Sequence, residues 1–368
     1  MQVCFDLPHL YYLPQYSPVV EELVHRGVEC RVLAYVEAGE RDAISAAVES
    51  LGIRAEWVAN EDEALAEYKR AKPDWLICGN RFDGIRDLAP PTRSGLLFHG
   101  SGTGVKRAAL TPDLGLFDVR FVSGPGRMAL FRELYPNTEL VEVGFAKLDP
   151  LCTQAGIAAS RLDLGELGLE PSKPTLLYAP TFYPSSIENM SVDFPAEFKD
   201  FNVLIKAHDF TLNKSRYRHQ KAKLEMFARA DNVYLATDRE YSLIPFLATA
   251  DAMATDTSSA IFECASIDKP VLTCDFVRLR WTYRGPLRYR LRRRLDPSTR
   301  HYLGVAESVR HYQDLLPKVR QHLEQPELLG PVRRRFANEL MGPLDGKSAS
   351  RIADYLQGVG VAMVSGQD

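Results

Sequence analysis

Long apolar runs are missing from this 368-residue sequence, and none approaches the roughly 18 apolar residues of a membrane-spanning helix. The first residues, 1–6, contain no basic region and carry an early Asp, which is not typical of a secretory signal. The six cysteines, at positions 4, 30, 78, 152, 264 and 274, form no CxxC pair and no cluster with histidine. We therefore expect reduced thiols in a cytoplasmic protein, with no disulfide frame and no metal site.

Low-complexity tracts and internal repeats are also missing. The hydrophobic share of 45% and the charged share of 25% are those of an ordinary globular protein, which excludes wholesale disorder and a coiled-coil rod. A chain of this length predicts two domains.

The overall charge is nearly balanced, at −3, but its distribution is uneven. Residues 276–300 contain nine Arg, no Lys and a single acid, Asp296, so this segment carries +8 and the remainder carries −11. We call residues 278–300 the arginine strip. One basic segment on an acidic body indicates a localised anionic partner and argues against nucleic acid. Aromatic side chains lie between the arginines, and the candidate docking residues are Arg278, Arg280, Trp281, Arg292, Arg293 and Arg294.

Short apolar runs alternate with helix-like stretches, which predicts an α/β fold of two doubly wound, Rossmann-like parallel sheets with a helical C-terminal tail. The predicted strands of the first half are 2–5, 28–36, 53–58, 74–78, 95–98, 119–122 and 140–143. Those of the second half are 175–178, 203–205, 233–235, 252–254 and 271–273. We expect an N-terminal domain over 1–150, a nucleotide-donor domain over 151–345, and a C-terminal helix and tail over 346–368. In such folds ligands bind at the carboxyl ends of the strands, here in a cleft between the two halves.

Four segments place polar or glycine-rich residues where an apolar strand stops. They are Phe98–Lys106, Tyr178–Phe182, Ile205–Asp209 and Ala254–Glu263. The first is a glycine-rich loop after a histidine, in which backbone can approach an anion closely. The third puts a lysine and a histidine at a strand end, where they suit a phosphate that gains charge as it leaves. The fourth opens a helix with hydroxyl residues, which suits phosphate binding but is equally the pattern of an ordinary helix cap.

Taken together, these segments resemble the CDP-glycerol glycerophosphotransferases, the family of teichoic acid primases and polymerases. The shared features are the histidine loop that ends in Lys106, a G-x-P-R-x-D-x-L-like turn at 144–151, and the Y-A-P-T run at 178–181. They continue with the K-x-H segment at 206–208 and a T-D-x-S-S-x-x-F-[DE] segment at 255–263 followed by Asp268-Lys269-Pro270. The resemblance implies a GT-B fold and transfer of a polyol phosphate from a CDP-activated donor, with release of CMP.

The resemblance also assigns roles to individual residues. It makes His99 and His208 the two catalytic histidines, with Ser258 and Ser259 binding the donor phosphates and Asp256 ordering the loop. Together with the strand-end segments, it gives these candidate donor-binding residues: Gly100, Lys106, Thr181, Lys206, Thr255, Asp256, Ser258, Ser259 and Glu263. We assign His99 to general-base catalysis, because its ordinary pKa near 6.5 suits that role, although the two histidines could exchange roles. The expected partners are CDP-glycerol or a similar donor, an anionic lipid-linked or polymeric acceptor, and the inner face of the cell membrane as a peripheral attachment. No cofactor is expected.

Two other functions fit parts of the pattern. A sugar-nucleotide glycosyltransferase or UDP-sugar 2-epimerase would share the two-domain frame and a Glu after a phosphate-binding helix start. A non-enzymatic polymer- or membrane-binding protein would explain the arginine strip but would leave the two strand-end histidines without a role.

Overall fold

Two parallel β-sheets, one in each half of the chain, organise the molecule. The computed structural model describes residues 1–36, 41–88, 90–98, 100, 111–237, 239–289 and 302–358. The chain divides into two compact units. The first contains the described residues up to 150 together with 340–358, and the second contains the described residues of 151–339.

The first unit is built on a seven-stranded sheet in the order β3-β2-β1-β4-β5-β6-β7. Its strands are β1 Gln2–Leu7, β2 Glu29–Tyr35, β3 Ala55–Val58, β4 Trp75–Cys78, β5 Arg93–Leu96, β6 Val119–Val122 and β7 Glu139–Glu142. Its helices are α1 Leu13–His25, α2 Arg41–Glu49, α3 Glu61–Ala71 and α4 Met128–Leu134, and the helix Ser348–Leu356 joins them from the C-terminal segment. β4 and β6 are buried along their whole length, as expected for parallel strands covered on both faces.

The second unit is built on a six-stranded sheet in the order β10-β9-β8-β11-β12-β13. Its strands are β8 Thr175–Ala179, β9 Asn202–Ile205, β10 Val233–Leu235, β11 Ala252–Thr255, β12 Val271–Cys274 and β13 Glu307–Val309. Its helices are α5 Gln154–Ser160, α6 Phe194–Glu197, α7 Asp209–Asn213, α8 Arg218–Phe227, α9 Ile244–Thr249, α10 Ala260–Ser266, α11 Leu315–Glu324 and α12 Gly330–Phe336. The helix Ser348–Leu356 is α13. All strand pairings of both sheets are parallel.

Local sequence explains where several of these elements begin and end. The side chain of Asn60 caps α3 by accepting from the Glu63 amide at 3.0 Å, and three acids follow in the first turn, where they complement the helix dipole. α13 is held against α1 by Arg26, whose guanidinium donates to Asp354 at 2.5 Å and to the Ser350 hydroxyl at 2.7 Å. These contacts fix the C-terminal helix within the first unit.

The predicted α/β class, with two parallel sheets and C-terminal helices, is confirmed. Two local predictions were wrong. The sequence predicts residues 305–357 as mostly helical, but Glu307–Val309 is a strand. The sequence predicts the first helix over 16–26 with Ser17 as its cap, but the helix begins at Leu13, and the Ser17 hydroxyl donates to the Leu13 carbonyl inside it at 2.9 Å.

The sequence also led to predictions about the cysteines and the longest helices, and the structure describes both. All six cysteines are free thiols, five of them buried and Cys152 half-buried. Within the described part of the chain, no helix is both long and apolar enough to cross a bilayer.

Candidate functional site

Three of the four sequence segments meet at one edge of the second sheet. β8 lies between β9 and β11, and all three run parallel, so their carboxyl ends lie side by side. Lys206 follows β9, and its amide donates to the Tyr178 carbonyl of β8 at 3.0 Å. The His208 amide donates to the Pro180 carbonyl at 3.2 Å, which continues this pairing past the strand ends. The structure therefore brings together residues 180–186, 206–208 and 255–259.

Asp256 is the organising residue of this edge. Its side chain is fully buried, and its two oxygens accept from three donors of the turn that follows β8. One oxygen accepts from the Thr181 amide at 2.9 Å and the Ser185 hydroxyl at 3.0 Å, and the other accepts from the Ser186 amide at 2.9 Å. Burial raises the pKa of Asp256 to about 7, and these hydrogen bonds oppose the rise. Asp256 thus fixes the shape of the turn 181–186, and the sequence did not show which groups of that turn it binds.

The hydroxyl residues after β11 divide into two kinds. Thr255 is fully buried, and its hydroxyl donates to the Ala179 carbonyl at 2.6 Å, so it ties β11 to β8. Ser258 and Ser259 are half-buried at the start of α10. The side chain of Ser259, the residue before the helix, makes no capping hydrogen bond. This observation weakens the interpretation of this segment as an ordinary helix cap. Glu263, one turn further on, is 3% exposed.

His208 has a defined orientation. Its Nδ1 accepts from the Phe210 amide at 3.1 Å at the start of α7. An imidazole nitrogen that accepts a hydrogen bond carries no proton, so the neutral ring holds its proton on Nε2. The ring packs against Phe182, edge to face, with centroids 4.7 Å apart, and against Phe210 at 5.1 Å. In this tautomer Nε2 is a hydrogen-bond donor, which suits a contact with a phosphate oxygen.

The described start of the arginine strip is attached to this same turn. The Arg278 amide donates to the Ser185 carbonyl at 3.4 Å, and the Arg280 amide donates to the Tyr183 hydroxyl at 3.0 Å. The Arg280 guanidinium lies 4.4 Å from the centre of the Tyr183 ring, a cation–π distance. Arg278, Arg280 and Trp281 are exposed, Trp281 by 76%. The strip therefore starts beside the edge that carries His208, a link that the sequence did not reveal.

His99, Lys106 and Arg292, Arg293 and Arg294 lie outside the described residues. Gly100 is described and belongs to the first unit. Among the described residues, a Cβ built on Gly100 would contact the Phe98 ring, at 3.6 and 3.8 Å.

Two other motif segments have structural contacts. Lys269 donates to the carbonyls of Leu247 and Ala250 at 2.6 and 2.7 Å and so satisfies the end of α9. Asp268 pairs with the buried Arg333 at 2.9 Å. In the turn at 144–151, the Asp149 carboxylate accepts from the Ala349 amide at 2.8 Å, which anchors α13.

Among the described residues, no group of His, Cys, Asp or Glu side chains is arranged to hold a metal ion.

A family comparison decides the kind of protein. Residues 116–358 match the profile of CDP-glycerol:poly(glycerophosphate) glycerophosphotransferase. The chain belongs to this family. It is accordingly an enzyme of the glycerophosphotransferase type, as the motifs predicted. The matched range contains the segments at 178–181, 206–208 and 255–263, and it begins after the histidine loop at 99–106.

Solved structures confirm the GT-B-like fold of this glycerophosphotransferase. The wall teichoic acid polymerase TagF, in a variant soaked with CDPG, is 13% identical with a TM-score of 0.64, and the match covers 97% of this chain and 88% of that one. A UDP-GlcNAc 2-epimerase from Neisseria meningitidis bound to UDP-GlcNAc is 14% identical with a TM-score of 0.59, over 97% of this chain and 100% of that one. A similar enzyme from Listeria monocytogenes, described as a UDP-N-acetylglucosamine 2-epimerase, is 13% identical with a TM-score of 0.65, over 98% of both chains. No curated protein sequence matches the chain at a significant level.

Proposed function

We propose that the enzyme transfers glycerol phosphate, or a related polyol phosphate, from a CDP-activated donor to an acceptor hydroxyl and releases CMP. The product of this transfer is a cell-envelope polymer such as teichoic acid or capsule. The observation that carries this proposal is the convergence of Thr181, Lys206, His208, Ser258 and Ser259 at the carboxyl ends of β8, β9 and β11. Family membership and the likeness to a teichoic acid polymerase support it.

In the proposed donor site, each group has a role that its chemistry allows. Lys206 supplies positive charge, and His208 donates from Nε2 to a phosphate oxygen. The Ser259 hydroxyl donates to the pyrophosphate, and the Ser258 hydroxyl turns its proton from Thr255 to the pyrophosphate when the donor binds. Asp256 acts on the site through the turn that it holds, since its own oxygens are buried and engaged. Thr255 supports Ser258, whose hydroxyl lies 3.3 Å from that of Thr255, and Glu263 is proposed to contact the ribose.

The proposed reaction is an in-line displacement at the β-phosphorus. The acceptor oxygen forms a bond to the β-phosphorus, and the bond between the β-phosphorus and the bridging oxygen of the pyrophosphate breaks. The proton of the acceptor hydroxyl passes to His99, the proposed general base. The bridging oxygen leaves on CMP with an added negative charge, which Lys206, His208 and the two serines stabilise. Gly100 and Lys106 are proposed to assist donor binding from the histidine loop.

The arginine strip is proposed to dock the anionic acceptor, a lipid-linked saccharide or a growing phosphate polymer, at the inner face of the cell membrane. Three features support this proposal. The strip has a charge of +8, it contains no lysine, and Arg278, Arg280 and Trp281 are exposed beside the carboxyl ends of β8, β9 and β11. Arginine binds phosphate in a bidentate manner, and exposed Trp suits a lipid headgroup layer. The enzyme would then be a cytoplasmic, peripheral protein.

The decisive experiment incubates the protein with a panel of CDP-polyols and nucleotide sugars and measures which nucleotide is released. We expect CMP from a CDP-polyol, and we expect calorimetry to show CDP binding that weakens about tenfold or more when Ser258 and Ser259 are both changed to Ala. Release of UDP, or equal binding of UDP and CDP, would instead favour the glycosyltransferase or 2-epimerase function.

Docking is tested by co-sedimentation with liposomes that contain or lack anionic lipid, at low and high salt. Each basic residue near an anionic membrane surface contributes about 1 kcal/mol to the free energy of binding. Changing Arg292, Arg293 and Arg294 to Glu should therefore abolish the salt-sensitive binding to anionic liposomes. Unchanged lipid binding and unchanged activity on the native acceptor would show that the strip is only a solvated loop.

A further inference from the structure

A second basic segment of the second unit lies outside the arginine strip. Residues 214–223 contain no acid and five cations, which are Lys214, Arg216, Arg218, Lys221 and Lys223. Lys223 is engaged, because its ammonium donates to the carbonyls of Glu188 and Met190 at 3.2 and 2.5 Å. Lys214 and Arg216 are exposed, and neither forms an ion pair or a side-chain hydrogen bond with the described part of the chain. Their charge is therefore available to a ligand.

Arg216 and Arg280 meet at one aromatic ring, although they come from different segments of the chain. Their guanidinium groups lie 4.8 and 5.7 Å from the centroid of Tyr217. Arg280 lies closer still to Tyr183, at 4.4 Å from the centroid of that ring. Tyr217 is 3% exposed and Tyr183 is 5% exposed, so the rings are fixed by packing, whereas both arginines are exposed. Two like charges gathered at one ring repel each other, and a bound anion would relieve this repulsion.

Lys214 extends this surface. Its ammonium lies 5.5 Å from the centroid of Phe210. We call Lys214, Arg216 and Arg280 the basic patch. An aromatic ring attracts a cation by its face but leaves outward N–H groups able to bind an anion. The ring contact also limits the motion of the side chain, so less conformational entropy is lost when an anion binds.

The basic patch lies next to the proposed donor site. The Phe182 ring contacts both places, with its centroid 4.7 Å from that of His208 and 5.6 Å from that of Tyr217. Phe210, the ring beside Lys214, lies 5.1 Å from His208. A ligand held by the patch would therefore lie close to the histidine that is proposed to act on the donor phosphates.

We propose that the basic patch binds successive phosphate groups of a polyol phosphate chain, whose growing end is the acceptor. A chain suits the patch better than a single phosphate does, because the three cations rest on separate ring contacts. A flexible chain with one phosphodiester in each repeat can bring one negative charge to each cation, and the release of counter-ions favours each contact.

A membrane surface suits the basic patch less well. The two tyrosine rings beneath the arginines are buried and cannot enter a headgroup layer, unlike the exposed Trp281 of the arginine strip. The identification of the chain as the acceptor rests on the proposed function. Binding of the chain by the patch does not depend on that function.

The patch is tested by fluorescence anisotropy with a labelled, lipid-free poly(glycerol phosphate) chain. The test variant combines Lys214→Gln and Arg216→Gln. The matched control combines Lys199→Gln and Arg229→Gln, which removes two exposed cations elsewhere in the same unit. All four side chains are exposed, so both variants should fold. The test variant should lose affinity about tenfold and respond less steeply to salt, since two phosphate contacts are lost. Equal affinity of the test variant and the control would overturn the proposal.

The length of the acceptor provides a second readout. A single-repeat acceptor cannot reach the patch and the transfer site together. The test variant should therefore raise the KM for a long lipid-free acceptor and leave kcat, the donor KM and the KM for a single-repeat acceptor unchanged. An equal change of KM for both lengths would contradict the proposal. Normal binding of the chain together with loss of binding to anionic liposomes would also contradict it, because the patch would then be a membrane surface.

The two proposals fail in different ways. If no CDP-polyol yields CMP, but the chain still binds in a manner that depends on Lys214 and Arg216, the proposed function is wrong and the patch stands. If CMP is released but the test variant binds the chain as the control does, the patch is wrong and the function stands.

Discussion

The two units each bury one aspartate at the carboxyl end of a central strand, yet the two carboxylates are held in different ways. Asp6, on β1, is 4% exposed, and a single oxygen accepts from the hydroxyls of Tyr35 and Tyr68, at 2.9 and 3.0 Å. Asp256, after β11, uses both oxygens and accepts mainly from backbone amides. Asp6 therefore ties side chains of the core together, whereas Asp256 determines the path of a turn.

This difference separates a packing role from a positioning role. Tyrosine side chains can move slightly without altering the backbone, so the Asp6 cluster tolerates change. The turn 181–186 carries Thr181, and its Ser185 carbonyl and Tyr183 hydroxyl accept hydrogen bonds from the amides of the arginine strip. Removing the Asp256 carboxylate would therefore shift this turn and the proposed donor site beside it. The raised pKa is common to both carboxyl groups and does not distinguish the two roles.

The largest expected effect is at His208, which belongs to the edge that Asp256 supports. Positioned acid–base and charge-stabilising groups contribute roughly 10²–10⁴-fold, so His208→Ala should lose transfer by about that factor. His99→Ala should lose a similar factor if it is the base. Steady-state kinetics with a CDP-polyol checks this, and circular dichroism checks the fold.

His219→Ala is the matched control, because His219 is an exposed histidine of the same unit. We expect it to retain full activity. A His208→Ala enzyme with the turnover of this control would remove His208 from the mechanism, and the same result for His99→Ala would leave the general base to be found elsewhere.

The second prediction compares the two aspartates directly. In Asp6→Asn the amide oxygen can still accept from both tyrosine hydroxyls, so we expect the free energy of unfolding at pH 4, where the Asp6 carboxyl is protonated in the folded state, to change by less than about 1 kcal/mol. In Asp256→Asn the amide NH₂ must face a donor in either orientation, which leaves buried groups unsatisfied at a cost of about 1–3 kcal/mol. Only Asp256→Asn should also lower turnover and donor affinity. Urea unfolding and kinetics on both variants test this, and equal losses would abolish the distinction.

Most of the fold could be predicted from the sequence because each buried parallel strand is a continuous apolar run. β6 and β10 were predicted with their observed ends, at 119–122 and 233–235. The strand Glu307–Val309 was missed because it is three residues long and its first two residues are polar. The start of α1 was misplaced because Ser17-Pro18 matches a helix start, while Pro14 sits in the true first turn.

The candidate site could be predicted only in part. The motifs identified His208 and the serines as strand-end residues, and parallel pairing brought them to one edge. The partners of Asp256 could not be found in this way, because two of the three donors are backbone amides, which leave no trace in residue type.

The expected effect that lies furthest from transfer activity is a pH dependence of stability that originates at Asp6. Burial raises its pKa from 3.8 to about 7, while the two tyrosine hydrogen bonds oppose the rise. Between these values the folded state holds a proton that the unfolded state has lost, so stability decreases as pH rises from about 4 to 7 and levels off above 7. Each fully titrating group contributes a slope of about 1.4 kcal/mol per pH unit. Since Asp6→Asn has no proton to lose there, its stability relative to the unaltered protein should increase steadily over pH 5–7 and then stay constant, as measured by urea unfolding at each pH. A constant difference across this range would mean that the Asp6 carboxyl is ionised throughout. In that case the tyrosine hydrogen bonds would lower its pKa by more than burial raises it.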